Sequence, residues 1–157
     1  MKWEVIISPH TNMLIGEYIH TVDEKNRLSL PIKFRKELGK KLVLTRGLDR
    51  CIFVFTIEQW KDIAGRLGEH SLLSADNRSF NRFMFGSATE VDVDASGRIL
   101  LPDFLKTYAG IIGEKVALVG MQTRAEIWHD ATWQTYKATV DGQADQLAEK
   151  LSHVGIL

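Results

Sequence analysis

One short pattern is written twice in this chain. Asp23-Glu24-Lys25-Asn26-Arg27-Leu28-Ser29-Leu30-Pro31 and Asp94-Ala95-Ser96-Gly97-Arg98-Ile99-Leu100-Leu101-Pro102 share D-x-x-(N/G)-R-apolar-x-L-P, 71 residues apart. The likeness continues downstream. Arg46-Gly47 leads to Val54-Phe55 and Trp60, as Val119-Gly120 leads to Ile127-Trp128 and Trp133, the last tryptophans 73 residues apart. A drift of two residues over that stretch is a loop insertion inside a true internal repeat. Each copy, roughly 45–50 residues, lies below the size at which a chain buries enough surface to stand alone. The two copies are therefore expected to share one core about a pseudo-two-fold axis.

Each copy reads as strand, turn, strand, short helix, strand, turn, strand, helix. Glu17–Val22 is rich in strand formers. Asp23 opens a turn, and Asn26 stands where the second copy has Gly97; both residue types tolerate a left-handed backbone. Two hairpins are thus expected, with Leu28 and Leu30 on one face of the returning strand. Pro31 and Pro102 each suit the first turn of a helix, over Ile32–Leu38 and Asp103–Ala109, ended by Gly39 and Gly110. Lys41–Arg46 and Cys51–Phe55 follow as strands, matched by Val116–Val119 and Ala125–Trp128. Thr56-x-x-Gln59 is a capping box before a helix carrying Trp60, Ile63 and Leu67. Ser74–Phe85 reads as a helix between the copies, a further helix starts near Asp130, and Gln143–Leu151 reads as a separate, weakly amphipathic one. Phe55, Trp60, Trp128 and Trp133 recur after strands and are expected as core anchors.

The expected architecture is mixed α+β, mainly β: a small closed or nearly closed barrel of two pseudo-symmetric repeats with helices outside. Closure would remove exposed strand edges. The divisions are an N-terminal extension (1–12), repeat 1 (13–67), a helical linker (68–84), repeat 2 (85–140) and a helical tail (141–157). Residues 1–12 have no counterpart before the second copy and read as an edge strand or a dispensable extension.

Charge is balanced, with 20 Lys and Arg against 20 Asp and Glu, which argues against indiscriminate polyanion binding. Its distribution is uneven. From Asp23 to Arg50, nine basic residues (Lys25, Arg27, Lys33, Arg35, Lys36, Lys40, Lys41, Arg46, Arg50) face four acidic ones. Such a local basic field is either a solvated face or a nucleic-acid footprint.

The duplicated motif, with its hairpins and tryptophan-bearing helices, resembles the MraZ family, within the AbrB-like group of bacterial transcription factors. Gly16-Glu17-Tyr18, Leu30-Pro31-x-x-Phe34-Arg35, Phe85-Gly86-Ser87-Ala88 and Ala125-Glu126-Ile127-Trp128 are similar to the family's pattern, over Met13 to Tyr136. The resemblance implies a swapped, double-split β-barrel, assembly into a homo-oligomeric ring, and binding to short, repeated, G-rich boxes in double-stranded promoter DNA. It also implies control of the cell-division and cell-wall gene cluster, including the regulator's own promoter, by a cytoplasmic, nucleoid-associated protein. The family's DNA-contacting arginines fall on Arg27 and Arg98. Asn26 departs from the family's glycine.

Physical chemistry supports the same residues. A two-stranded ribbon fits the major groove, and arginine grips guanine O6 and N7 for about 1–3 kcal/mol of discrimination. Lys25 on the turn, and Lys33, Arg35 and Lys36 on the short helix, suit phosphates, which position without specifying. The copies differ here: the second has Phe104, Lys106 and Thr107. Asp23 and Asp94 are assigned to turn geometry or to orienting the arginines, because phosphate repels carboxylate. Asp23–Arg27 and Asp94–Arg98 read equally as hairpin ion pairs, worth roughly 0–1 kcal/mol when exposed; the duplication and the basic field favour DNA contact.

Other chemistry is not signalled. The five histidines show no zinc spacing, and no Walker, G-x-S-x-G or G-x-G-x-x-G motif occurs. Neither cofactor nor catalysis is expected. His129 and Asp130, adjacent at a strand end, point apart. The single cysteine, Cys51, sits in an apolar run and reads as a buried small hydrophobe. No apolar stretch approaches the ~20 residues of a membrane span. The alternative function is an antitoxin-like protein-interaction module, which a long disordered arm would favour; the tail after Asp141 is short and partly helical.

Overall fold

The computed structural model describes residues 13–113 and 115–157. The N-terminal extension lies outside the described residues. The described residues form eight strands and five α-helices. In the first copy β1 (Leu14–Thr21) runs into the Asp23–Asn26 turn and β2 (Arg27–Ser29). Pro31 caps α1 (Ile32–Leu38), and its carbonyl accepts from Phe34 N at 2.9 Å and Arg35 N at 3.1 Å. The proline thus stands one residue before the helix rather than in its first turn. β3 (Lys41–Arg46), a single 3-10 turn (Leu48–Arg50) and β4 (Ile52–Thr56) follow. The capping box then starts α2 (Ile57–Gly68): Thr56 Oγ1 accepts from Gln59 N at 3.0 Å, and Gln59 Oε1 from Thr56 N at 3.1 Å. After α3 (Ala75–Phe85) the order recurs as β5 (Thr89–Asp92), β6 (Arg98–Leu100), α4 (Asp103–Tyr108), β7 (Lys115–Gln122), β8 (Ala125–His129) and α5 (Asp130–His153).

The expected hairpins do not persist past their turns. A lone bridge, Val22↔Leu28, joins the arms of the first. The arms then separate into different sheets. β1 pairs antiparallel with β7 of the other copy, β5 with β3, and β2 with β6. The strand order is β1-β7-β8-β4-β3-β5 in the large sheet, with β2-β6 as a separate two-stranded ribbon. The exchange has a physical cause: four short strands cannot cover their own apolar faces, and borrowing strands from the other copy completes both. The result is a mixed α+β fold with a six-stranded antiparallel sheet. Among the described residues the hydrogen-bond ladder ends at β1 and β5, and no closed barrel is formed.

Strand alternation divides the packing into two layers. One cluster holds Leu28, Leu30, Phe34, Leu42, Leu44, Ile52 and Val54 of the first copy with Ile99, Leu101, Leu105, Val116, Leu118 and Ile127 of the second. This is the shared core, beneath the ribbon, α1 and α4. The opposite sheet face carries Phe53, Phe55, Val119 and Trp128, covered by Met84 and by partly buried Trp60, Ile63, Phe83 and Trp133. The tryptophans are core anchors, as their recurrence predicts. Cys51 is buried here too, and burial pushes its thiol far above the ordinary range.

The two C-terminal helices expected from sequence are one. α5 runs 24 residues, and Gly142 passes through it at a cost of about 1 kcal/mol relative to alanine. Its first turns are fastened to β1, where Glu17 accepts from Trp133 Nε1 at 3.0 Å and Lys137 Nζ at 2.6 Å. From Asp141 onward every residue is exposed.

Candidate nucleic-acid interface

The β2–β6 ribbon decides where the arginines stand. Its register pairs Arg27 with Leu100, Leu28 with Ile99 and Ser29 with Arg98. Leu28 and Ile99 point inward and are fully buried. Strand alternation therefore places Arg27, Ser29, Arg98 and Leu100 together on the outward face. The ladder extends at both ends through Leu30 N to Gly97 O (2.9 Å) and Leu101 N to Asn26 O (2.7 Å), which are equivalent bonds under the repeat. The two arginines expected at the tips of separate hairpins thus share one surface. Two steps along a strand and one strand spacing across separate their Cα atoms by about 8 Å.

Each arginine is held by the aspartate that opens its turn. Asp23 Oδ1 accepts from Lys25 N (2.9 Å) and Arg27 N (2.8 Å), and its Oδ2 accepts from Arg27 Nε at 2.7 Å. Asp94 repeats this with Ser96 N (2.9 Å), Arg98 N (2.9 Å) and Arg98 Nε (3.0 Å). The aspartates therefore both shape the turns and orient the arginines, and both ion pairs of the sequence reading form. The Arg27 backbone N–H above all, then its guanidinium, holds the Asp23 carboxyl below its ordinary range; Arg98 does the same to Asp94. Pairing uses the Nε of each arginine. Among the described residues the Nη groups of both have no hydrogen-bond partner, and these are the groups that reach a guanine edge.

Asn26 (φ 60°) and Gly97 (φ 76°) both adopt the left-handed conformation anticipated for them. Their surroundings were not legible in the sequence. Asn26 Nδ2 donates to Asp103 Oδ1 at 2.8 Å, and its Oδ1 accepts from Lys106 Nζ at 2.7 Å, both on the other copy's helix. At the equivalent place Arg35 lies against Gly97, where a Cβ would fall on the guanidinium. Arg35 Nε donates to Leu30 O at 2.8 Å. Lys25 and Lys33 are exposed, on the first turn and on α1, while Arg35 is half-buried. Pro31 and Pro102 start the helices that carry these side chains.

Part of the basic field belongs elsewhere. Arg46 lies over the Phe83 ring at 4.4 Å and donates from Nη2 to Phe83 O at 3.1 Å, and Arg50 stands 5.8 Å from the Tyr108 ring. Arg46 braces the linker helix α3 against β3, and Arg50 packs on Tyr108 of the second copy. Glu126, buried on the sheet, accepts from Arg124 and from Trp128 Nε1 at 3.1 Å. Among the described residues no three His, Cys, Asp or Glu side chains gather as a metal site, and no helix is long and apolar enough to cross a membrane.

A protein-family model described as "MraZ protein, putative antitoxin-like" matches the chain twice, over residues 13–83 and 84–152. The chain belongs to the MraZ family. The Transcriptional regulator MraZ of Acetivibrio thermocellus is 42% identical over 144 residues, 92% of this chain and all of that protein. That of Caldicellulosiruptor saccharolyticus is 44% identical over the same shares. That of Moorella thermoacetica is 45% identical over 139 residues, 88% of this chain and 96% of that protein. The double match has the period of the motif found in the sequence, and the curated relatives carry the name of transcriptional regulators.

Proposed function

We propose that this MraZ-family chain is a sequence-specific DNA-binding transcriptional regulator that reads short, repeated, G-rich promoter boxes of a cell-division and cell-wall gene cluster. The observation that carries this reading is the pair of arginines on one outward ribbon face, each aimed by an aspartate, with no partner for its Nη groups among the described residues. About 8 Å between them spans two to three base-pair steps of roughly 3.4 Å. Arg27 and Arg98 read guanine edges, and Lys25 and Lys33 neutralise phosphates.

The protein acts as a homo-oligomer, a ring in which many ribbons face one DNA. Multivalency then raises the modest affinity of a single ribbon. Edge strand β1 supports assembly: Ile15, opposite Met121, and Ile19 expose apolar side chains there. Such a protein works in the cytoplasm, at the nucleoid. A protein-interaction role is the second reading, and the exposed Leu147, Leu151 and Val154 near the end of α5 favour it.

The test is a fluorescence-anisotropy titration against the chain's own upstream DNA and a scrambled fragment, at two salt concentrations, with light scattering on the free protein. Tight, salt-sensitive binding to the upstream fragment alone is expected, from an assembly larger than a monomer. Arg27→Ala or Arg98→Ala should each abolish that preference while leaving the melting temperature unchanged. Affinity retained in the double variant would refute the site. Equal, weak binding to both fragments would move the protein-partner reading to the front.

A further inference from the structure

We infer that Arg35 in one copy, and the Asn26–Lys106 pair in the other, are positioning residues that clamp each recognition turn from the opposite repeat. This rests on the DNA reading above and adds residues that touch no base. The repeat offset of 71 relates Asn26 to Gly97 and Arg35 to Lys106. The same two places therefore meet twice, a turn residue with a helix residue of the other copy, and they meet by different chemistry.

In the first turn the long reach is shared. Asn26 carries a side chain in the left-handed region, which non-glycine residues occupy at a cost. Its amide satisfies both ends against α4, through Asp103 Oδ1 and Lys106 Nζ. In the second turn there is no side chain, and Arg35 fills the space itself. Its guanidinium lies where a Cβ of residue 97 would stand. Its Nε holds Leu30 O, while Leu30 N holds Gly97 O. Arg35, Leu30 and Gly97 thus form one chain of contacts ending a single residue before Arg98. Asn26 likewise ends one residue before Arg27.

The spacing of base edges leaves an arginine fork little freedom, and a bidentate contact is lost when its backbone swings. A turn fixed from across the two-fold axis keeps both arginines on one face. This also accounts for the unequal residues. Asparagine with lysine, and glycine with arginine, are two fillings of one slot; asparagine opposite Arg35 would overfill it.

The full-length protein distinguishes positioning from phosphate contact. Arg35→Lys keeps the charge and loses the Nε bond and the planar cover. We expect operator affinity to fall by about tenfold, the scale of one weakened bidentate contact, with scrambled-DNA affinity and the slope of log K against log salt unchanged. Gly97→Asn should lower operator affinity as much, and Gly97→Asn with Arg35→Lys should recover part of it by recreating the Asn–Lys half of the first-copy contact, Ile32 standing where α4 has Asp103. Asn26→Gly, which alters no charge, should weaken operator binding with the slope intact and serves should Arg35→Lys fail to fold. A near-neutral Arg35→Lys, with Arg35→Met flattening the slope by roughly 0.9, the share of one phosphate, overturns the inference. So does a harmless Gly97→Asn. Amide exchange in the DNA-free protein separates this from the function itself. Faster exchange at Arg98 N–H in Arg35→Lys supports the clamp even if wild type shows no operator preference, and unchanged exchange there overturns it.

Discussion

At the scale of residues, the two aspartates make a pH-dependent element. Each carboxylate is held below its ordinary value by the backbone N–H of its arginine first and by the guanidinium after it. A depressed folded value means that the ionised form favours the turn. That contribution is fully present above the ordinary aspartate value of about 3.9 and is lost as pH falls through the lower folded value. Carboxyl-carbon NMR should therefore give Asp23 and Asp94 midpoints below those of free aspartate, with Arg27 and Arg98 amides losing protection over the same acidic range and flat from pH 5 to 8. Midpoints at the ordinary value would show the carboxylates unbound in solution. The motif residues were readable because a turn leaves a local signature: aspartate at its start, and asparagine or glycine where φ is positive. The partners of Asn26 and Arg35 were not, because they stand about 60 to 80 residues away and nothing local marks a lysine or arginine as tied down.

Elements were legible wherever one segment's own pattern decides them. The capping box marked the start of α2, and the proline-to-glycine interval marked α1 to within a residue. α5 was misread as two helices because a glycine and a polar run weaken the periodic signal without breaking the backbone ladder. The strands were found, but their partners were not, since an apolar alternation suits any edge that buries the same face. The hairpin reading failed for that reason: β2 has a nearer neighbour in sequence and a better one in β6. The far half of α5 carries one prediction. Because it is exposed from Asp141 on, a chain ending at Gly142 should melt at the same temperature as the whole protein, checked by circular dichroism with the free monomer diluted below any assembly. A drop of several degrees would mean that this segment packs in solution.

For the whole molecule, the exchange of β1 and β5 makes the two copies one cooperative unit. Leu28 and Ile99 pair at the centre of the ribbon, both buried. Truncating either, Leu28→Ala or Ile99→Ala, should cost about 2–5 kcal/mol and leave a single unfolding transition in which the tryptophan signals of both copies move together. Separate transitions for Trp60 and Trp128 would show that the copies hold themselves up alone. The shared core was foreseeable from size: a repeat too small to stand alone must borrow. Where it borrows was not, because that depends on which strand edges remain open once both copies are present.

Glu17 is paired with Val119 in the register of β1 and β7, and this places a wait in the life of every new chain. Synthesis at about 5–20 residues per second delivers the partner strand roughly 5–20 s after β1 has been made. Until then the first copy has an open edge and an uncovered face, a half-built sheet of the kind that aggregates most readily. A stall in translation between Phe85 and Lys115 would lengthen the exposure of that species without altering the finished protein.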